Sequence, residues 1–501
     1  MNRLTTAAPA SQADRPFGMR DKIGYALGDF GCQMSFALIT AYLADFYTQY
    51  IGLTEATWAI IIIFLKIWDA VNDPIMGYIA DRANPKRGKM RPYLLYTPIP
   101  IAILTILLFY APKLSGTQLM VYAAVTYVAW GMIYTASDVP FWSLPNVMTP
   151  DPAERGEIIS KGKTANGVGS AVPIVFFMAL GFILPKFNLS GTELEKTKYM
   201  TIALICAILG NILFARVYFK AKEHIVLPNP PKRKKGEKTA LQLILGCKPL
   251  MLTAIMGILS SARYMYQAGA VHVARYSFYI GKDLTGLVGA EKEAALQGNI
   301  SLVSTVFQVA SAVGMFGAML LMPALFKKFN YKQLIISTSL VGAASSMVIW
   351  FLGYERFWLC IPFFVISCIP LGAINVCLGA MIGDCLDYME WQTGTRLTGM
   401  GSAVQSFVNK LGNALSTSFI IVMYMIVNLN VADISANVTA NPLAMSATVR
   451  SGMFSLISII PAVSLLLCTI PLFFYDLVGE KKARVTRELA EQRKEKGVVI
   501  H

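Results

Sequence analysis

Twelve apolar runs, each long enough to cross a bilayer, constrain the fold of this chain more than any other feature of its sequence. A helix needs roughly 20 apolar residues to span about 30 Å of hydrocarbon. Only 15% of the residues are charged, whereas soluble domains average about 25%. The sequence therefore predicts an all-α polytopic membrane protein with twelve transmembrane helices. The runs cover approximately residues 24–50, 56–80, 92–111, 117–149, 160–185, 198–219, 246–280, 297–326, 333–353, 358–385, 400–427 and 450–475.

The positions of the 44 Lys and Arg residues predict the orientation of the chain in the membrane. If both termini are cytoplasmic, 28 of these residues fall in cytoplasmic segments, 8 on the opposite side and 8 within helices. Basic residues concentrate on the cytoplasmic side of membrane proteins. The net charge of +15 therefore reflects topology, and we expect no nucleic-acid partner. We expect a multi-pass protein of the cell membrane with both termini in the cytoplasm.

A polar stretch from Lys220 to Thr239, rich in proline and carrying the basic run 232–235, separates six spans from six. It is typical of a flexible linker, although such a run at a membrane can also bind anionic lipid. Two six-helix halves with both ends inside are the layout of major facilitator transporters. The predicted segments are an N-terminal tail over 1–22, a six-helix half over 23–219, a linker over 220–245, a second half over 246–478 and a C-terminal tail over 479–501.

The second span, residues 56–80, contains three charged residues in the string FLKIWDAVNDPIMGYIA, and such residues within a span are functional candidates. Lys66, Asp69 and Asp73 share one helical face, and Asn72 precedes Asp73. Two carboxylates one turn apart require a cation between them or a proton on one of them. We therefore predict a coupling-ion site, with Na⁺ held at Asp69 and Asp73. The alternative is a structural salt bridge from Lys66 to Asp69, with Asp73 paired elsewhere.

Five strings in the two halves carry a family resemblance. They are YALGDFG at 25–31, WDAVNDPIMG at 68–77, RGKMRP at 87–92, WGMIYTASDVPFWSL at 130–144 and GDCLDYMEWQTGTR at 383–396. They resemble the glycoside-pentoside-hexuronide:cation symporters of the major facilitator superfamily. The resemblance implies a cation site at Asp69, Asn72, Asp73 and Thr135 that couples transport to Na⁺, Li⁺ or H⁺.

The resemblance also implies a sugar site around Asp138 and Trp142 of the fourth span. A carboxylate accepts hydrogen bonds from sugar hydroxyls and an indole face stacks on a pyranose ring, although Trp142 alone is also typical of a packing aromatic. Where galactoside-transporting members have an acid in the first helix and an arginine in the fifth, this chain has Gln33 and Lys163. The predicted substrate residues are Gln33, Tyr134, Asp138, Trp142, Lys163, Arg263, Gln405 and Lys410.

Three basic residues within the spans raise a second hypothesis about the substrate. Lys163, Arg263 and Lys410 would together form a positive cavity suited to an anionic sugar such as a hexuronide. The alternative for Arg263 is a salt bridge to Asp45 of the first span.

Charged residues near the end of the tenth span and in two loops predict a gate. If the family pattern holds, ion pairs among them close the cytoplasmic side and break when it opens. Structural anchoring is the alternative reading. The residues are Arg155, Asp384, Asp387, Glu390 and Arg396.

The predicted function is secondary active import of a glycoside or related sugar together with Na⁺ or H⁺, by alternating access. A hexuronide symporter and a sugar or drug exporter of the same fold remain open, as do a sensor and a channel. The sequence has none of the HExxH, GxSxG, Walker A or CxxC motifs, so we expect no enzyme. We expect a sugar, a monovalent cation and the lipid bilayer as partners, no cofactor beyond the coupling ion, and a monomer.

Overall fold

The computed structural model describes residues 17–53, 55–82, 88–110, 112–114, 116–184, 191–225, 239–281, 283–429 and 441–495. Within these ranges the chain is helical, and each of the twelve predicted spans contains at least one helix. We number these spans α1 to α12 and call the helix that follows them α13. Six described helices are long and apolar enough to cross a membrane, and a bent pair in α7 makes a seventh.

The first six spans are helical over most of their predicted length. Their bounds are Met19–Asp45 continued by Phe46–Ile51 for α1, Glu55–Arg82 for α2, Arg91–Tyr96 and Pro98–Leu108 for α3, Gly116–Ser143 and Pro145–Met148 for α4, Pro152–Ile183 for α5, and Gly191–Ile205, Cys206–Gly210 and Asn211–Lys220 for α6.

The remaining helices include two spans that are broken several times. Their bounds are Ala240–Gly246, Lys248–Leu259, Ser261–Tyr264, Met265–Ala268 and Ala270–Tyr276 for α7, Gly289–Leu325 for α8, Tyr331–Leu352 for α9, Phe357–Ser367 and Ile369–Thr393 for α10, Thr398–Ile426 for α11, Ala447–Ser455, Ile459–Leu467 and Ile470–Phe473 for α12, and Gly479–Glu495 for α13.

The chain divides into two compact units whose bounds differ from those of the predicted halves. Unit 1 comprises Met1–Ile244, Leu386–Ser406 and Arg484–His501, and unit 2 comprises Leu245–Cys385 and Phe407–Ala483. Unit 1 therefore contains α1 to α6 together with the end of α10, the start of α11 and most of α13. Half of the predicted linker, residues 226–238, lies outside the described residues.

Glycines bring the helices of unit 1 close together. A Cβ atom at Gly31 of α1 would lie 2.3 Å from the carbonyl oxygen of Gly210 in α6. A Cβ atom at Gly169 of α5 would lie 2.4 Å from the carbonyl oxygen of Phe30. Small residues of this kind allow membrane helices to approach backbone to backbone. α1 is therefore held between α5 and α6, which fixes the polar residues on its inner face.

Candidate functional site

The carboxylate of Asp73 in α2 is buried and accepts hydrogen bonds from two hydroxyl groups. Thr135 Oγ1 of α4 donates to Asp73 Oδ1 at 3.3 Å, and Ser406 Oγ of α11 donates to Asp73 Oδ2 at 2.7 Å. Only 2% of the Asp73 surface is exposed. The structure thus brings together the predicted pair of Asp73 and Thr135 and adds Ser406, which the sequence prediction missed. All three residues belong to unit 1.

Asn72 is the third residue of the predicted cation site whose side chain the structure describes. Its side-chain nitrogen is buried and has no hydrogen-bond partner among the described residues. The side chains of Asp69 and Lys66 lie outside the described residues, so the assignment of Asp69 to the cation site and the Lys66–Asp69 salt bridge both stay predictions. The hydroxyl, carboxylate and amide groups at this site are oxygen-bearing types that suit a hard cation.

Three of the predicted substrate residues meet between α4 and α5. Trp142 Nε1 donates to Asp138 Oδ1 at 2.9 Å, one turn earlier on α4. The ammonium nitrogen of Lys163 in α5 lies 3.5 Å from the centroid of the Trp142 ring, within the range of a cation–π interaction. The indole is therefore held in place at its edge by a carboxylate and on its face by a cation.

A further carboxylate, Asp29 of α1, faces the same region. Asn166 Nδ2 donates to Asp29 Oδ1 at 2.7 Å and to Gln33 Oε1 at 3.1 Å, so one amide of α5 bridges two residues of α1. Lys163 attracts Asp29 and Asp138 electrostatically. The second oxygen of Asp29 is buried without a hydrogen-bond partner among the described residues. The cluster therefore places two acids around one base, with Gln33 beside them.

Tyr134 joins this cluster to a group of aromatic residues. Cys32 Sγ donates to the Tyr134 hydroxyl at 3.3 Å. The Tyr134 ring stacks on Trp130, with centroids 4.7 Å apart, and on Phe36, with centroids 5.3 Å apart. Tyr134 thus presents its hydroxyl to α1 while its ring packs against α1 and α4, next to the Thr135 that contacts Asp73.

The other predicted substrate residues lie on α7 and α11. Arg263 is fully buried in unit 2, and its guanidinium donates to the carbonyl oxygen of Ser260 at 2.9 Å. In unit 1, Asp45 instead accepts a hydrogen bond from the hydroxyl of Tyr199. Gln405 is buried in unit 1 and Lys410 is half-buried in unit 2.

Four of the five predicted gate residues belong to one ionic cluster in unit 1. Arg155 donates to Asp387 Oδ2 at 2.8 Å, and Arg396 contacts both Asp387 and Glu390. A fifth member comes from α13, because Arg493 Nε donates to Glu390 Oε1 at 3.0 Å. We refer to Arg155, Asp387, Glu390, Arg396 and Arg493 as the ionic cluster. Asp384, predicted to lie among them, instead pairs with Lys482 at 2.5 Å in unit 2.

Two carboxylates near this end of unit 1 bind the starts of helices. Asp81 of α2 accepts hydrogen bonds from the backbone nitrogens of Gly399 and Met400, at 2.7 and 3.0 Å, in the first turn of α11. Glu223, after α6, accepts hydrogen bonds from three consecutive backbone nitrogens, residues 89–91, at 2.8 to 2.9 Å. A helix start carries unpaired N–H groups and partial positive charge. Both carboxylates therefore act as helix caps supplied from elsewhere in the chain.

Several residues that matter in these contacts, Asp81 among them, were absent from the predicted sites. Asp29 had a sequence signal, because it is an ionisable residue within the YALGDFG string of the first span. Four others are polar or charged residues of ordinary type whose partners lie far away along the chain. They are Asn166, Glu223, Ser406 and Arg493.

The chain is similar over nearly its full length to bacterial proteins that are named as symporters or carriers. It is 27% identical over 497 residues to the uncharacterised symporter YjmB of Bacillus subtilis, covering 98% of this chain and 99% of that protein. It is 25% identical to the putative glycoside/cation symporter YagG of Escherichia coli, covering 96% and 97%. It is 23% identical to the glucuronide carrier protein homolog of E. coli, covering 95% and 96%.

The fold is similar to that of a solved transporter, and a family model covers most of the chain. The crystal structure of the E. coli fucose:proton symporter FucP superposes with a TM-score of 0.61 at 12% identity, covering 92% of this chain and 99% of FucP. These findings confirm the predicted major facilitator fold of a multi-pass membrane transporter and the resemblance to cation symporters. The family model described as MFS/sugar transport protein matches residues 24–479, and the chain belongs to that family.

Proposed function

We propose that the protein imports a neutral glycoside together with Na⁺ or H⁺ across the cell membrane. The chain is a sugar–cation symporter of the major facilitator type, and alternating access is the transport mode of this fold. In this mechanism a cation first neutralises the acids of α2, and the sugar then binds at the cluster of Asp29, Asp138, Trp142 and Lys163. The relatives named as symporters support coupling to a cation.

One observation carries the proposal, namely that α4 contributes to both sites through neighbouring residues. Thr135 donates to Asp73 of the cation site, and Asp138, three residues later on the same helix, holds the indole of Trp142. A shift of α4 on cation binding therefore moves the sugar-contacting residues as well. This shared helix gives the two ligands a direct means of affecting each other's affinity, as coupling requires.

Charge in the α1–α4–α5 cluster favours a neutral sugar over an anionic one. Asp29 and Asp138 both lie near Lys163, which attracts them. A uronide carboxylate would meet two acids there, and like charges in a low-dielectric site repel strongly. Hydroxyl groups, in contrast, can donate to both carboxylates. The chemistry of this cluster thus supports a glycoside without a carboxylate.

The ionic cluster supports a role as a gate. Three arginines bind two carboxylates there, and the members come from α5, α10, the loop between α10 and α11, and α13. Such a network resists separation when complete and releases its members together once one pair breaks. Opening of this end of the protein would require these ion pairs to dissociate.

The proposed function is tested by exchange of labelled methyl glycosides of glucose, galactose and xylose in proteoliposomes, with and without Na⁺ and across a pH gradient. We expect the wild type to accumulate at least one of them when a cation gradient is imposed. Asp73→Asn keeps the shape of the side chain and removes its charge, so it should abolish accumulation and leave sugar exchange measurable. Accumulation by Asp73→Asn equal to that of the wild type would reject the coupling role.

The same vesicles separate import from export. An importer coupled to a cation gradient takes up labelled glycoside when the cation concentration is higher outside. An exporter takes it up only when the gradient is reversed, and a sensor or an ion channel gives no exchange of labelled sugar at equal concentrations. Competition by glucuronate and by each methyl glycoside in the same assay distinguishes an anionic from a neutral substrate.

A further inference from the structure

The side chain of Lys163 in α5 covers one face of Trp142 in α4. Its ammonium nitrogen lies 3.5 Å from the centroid of the indole ring, and the indole Nε1 donates to Asp138 Oδ1 at 2.9 Å. An ammonium group directly above an aromatic ring occupies the position that the apolar side of a pyranose needs for stacking. A glycosyl ring can therefore stack on this face only if the ammonium of Lys163 moves away.

Asp29 of α1 is a buried carboxylate that lacks a basic partner. Only 1% of its surface is exposed. Asn166 donates to Oδ1 at 2.7 Å, whereas Oδ2 has no hydrogen-bond partner among the described residues. The ion pairs within the described ranges do not include Asp29. A carboxylate shielded from water is costly unless a cation or a proton neutralises it. Asp29 therefore has one oxygen that can accept a charged donor.

This oxygen lies close to the backbone that carries Lys163. A Cβ atom at Gly162 of α5 would lie 3.1 Å from Asp29 Oδ2, so the carboxylate packs against the residue that precedes Lys163. Asn166, which donates to the other oxygen, follows Lys163 by three residues and lies on the same face of α5. A lysine ammonium is carried by a flexible four-carbon chain, and Lys163 and Asp29 attract each other electrostatically. Lys163 therefore has two alternative partners, the ring of Trp142 and Oδ2 of Asp29.

We propose that Asp29 is a positioning residue that receives the ammonium of Lys163 when a glycosyl ring stacks on Trp142. In one arrangement, which the structure shows, the ammonium covers the indole. In the other, a stacking ring displaces the ammonium, which then forms a charged hydrogen bond with Asp29 Oδ2. The buried cation has a partner in both arrangements, so its displacement costs less than a move to an apolar position would. This inference rests on the proposed glycoside transport, and it gives Asp29 a role that acts through Lys163.

The role of Asp29 is tested in two backgrounds, with whichever of the methyl glycosides of glucose, galactose and xylose the wild type exchanges. Asp29→Asn keeps the size of the side chain and removes the charge that receives the ammonium. Loss of a hydrogen bond between charged groups corresponds to about a tenfold or larger loss of affinity. We therefore expect Asp29→Asn to raise KM about tenfold or more in the wild-type background. In a Lys163→Gln background no ammonium has to be received, so the same substitution should change KM by less than about twofold.

The two backgrounds distinguish a positioning residue from a direct sugar contact or a structural residue. Either of those roles would make Asp29→Asn raise KM by the same factor with and without Lys163. Asp29→Glu keeps the carboxylate and should raise KM by less than asparagine does. Lys161→Gln is the matched control on α5, because Lys161 pairs with Glu157 at 2.7 Å and 36% of its side chain is exposed. It should retain the wild-type KM, and Asp29→Asn should still raise KM about tenfold in that background.

Fluorine NMR checks the contact between Lys163 and Trp142 independently of transport. Incorporation of 5-fluorotryptophan labels all seven tryptophans, and the resonance that is missing from the spectrum of Trp142→Phe belongs to Trp142. A cation above an aromatic ring interacts with its electron distribution. Lys163→Gln should therefore shift this resonance in the ligand-free protein, and Lys161→Gln should leave it in place. Saturating glycoside should shift the wild-type resonance from its ligand-free position.

The outcomes separate this inference from the proposed function. Glycoside exchange by the wild type, with Asp29→Asn raising KM by equal factors in the two backgrounds, would overturn the positioning role alone. A Trp142 resonance that does not respond to Lys163→Gln would also overturn it, even if Asp29→Asn prevents folding. Lys163→Met replaces Lys163→Gln in both experiments if glutamine prevents folding. Absence of exchange by the wild type, together with no shift of the Trp142 resonance for any glycoside, would overturn the proposed function and this inference with it.

Discussion

The hydroxyl of Ser406 donates to Asp73 Oδ2 at 2.7 Å, although the two residues lie 333 positions apart in the sequence. Thr135 donates to the other oxygen of the same carboxylate. The carboxylate is therefore oriented by hydroxyl groups from α4 and α11 within unit 1. A cation bound at Asp73 would be sensitive to the position of the start of α11.

Replacement of Ser406 by alanine should weaken cation binding selectively. The variant removes one hydrogen bond that orients Asp73, so we expect about a tenfold increase in the Na⁺ or H⁺ concentration giving half-maximal uptake. Uptake at saturating cation should stay near the wild-type rate. Ser402→Ala is the matched control, because Ser402, one turn earlier, contacts Ser143 at 2.8 Å. Equal cation dependence of the two variants would contradict a role for Ser406 in the cation site.

Asn166→Leu should impair recognition of the glycoside and leave the cation dependence unchanged. The leucine has a similar size, but it cannot bridge Asp29 and Gln33 as the amide does. Two polar groups then lose a partner in a buried site, and we expect KM for the transported glycoside to rise about tenfold or more. Ser170→Ala is the matched control, because the Ser170 hydroxyl donates only within the same helix, to the carbonyl oxygen of Gly167. This variant should retain the wild-type KM.

Removal of Arg493 should destabilise the ionic cluster. Glu390 and Asp387 are mostly shielded from solvent and accept hydrogen bonds from this arginine. Loss of one partner from a buried ion-pair network costs on the order of 2 kcal/mol or more. We therefore expect Arg493→Gln to lower the thermal unfolding midpoint in detergent by several degrees.

Arg484→Gln tests whether the effect of Arg493 depends on burial. Arg484 pairs with Glu488 on the same helix, and 66% of its side chain is exposed. Exposed pairs of this spacing contribute little to stability, so this variant should unfold close to the wild-type temperature. A comparable loss in both variants would show that α13 itself, and not the ionic cluster, controls the stability.

Glu223→Gln should loosen the start of α3. The carboxylate accepts three backbone hydrogen bonds, from residues 89–91, and charge strengthens each of them. We expect a loss of about 1–2 kcal/mol, seen as faster hydrogen exchange of the amides in residues 88–96. Glu355→Gln, in which the acid is 70% exposed, should leave the exchange rates unchanged.

The fold was largely predictable from the sequence, because apolar runs and basic loops report directly on membrane spans. The breaks within α7 were not predictable. At the break near Ser260, contacts of Arg263 with the carbonyl oxygens of Gly257 and Ser260 replace missing helix bonds, and hydropathy does not detect such a replacement. The pairing of Asp384 with Lys482 was likewise not predictable, because it depends on which of several nearby basic residues approaches a given acid.

The candidate site was predictable where two groups lie on one helix and much less so where they do not. Asp138 and Trp142 are one turn apart on α4, so their spacing indicates the contact that the structure shows. Asn166 and Ser406, in contrast, are polar residues of ordinary type, and their roles arise only from packing against α1 and α2. A family resemblance predicts roles only for the residues that match a family motif, and it predicts nothing for residues outside that motif.

The crossing of α1 and α6 has a consequence for the variation that the chain can tolerate. A methyl group at Gly31 would lie 2.3 Å from the carbonyl oxygen of Gly210, and one at Gly210 would lie 2.7 Å from that of Gly31. The two positions are mutually locked, since alanine at either one forces the backbones apart. Natural variants should therefore differ in sequence at the lipid-facing positions of both helices and keep this pair of glycines unchanged.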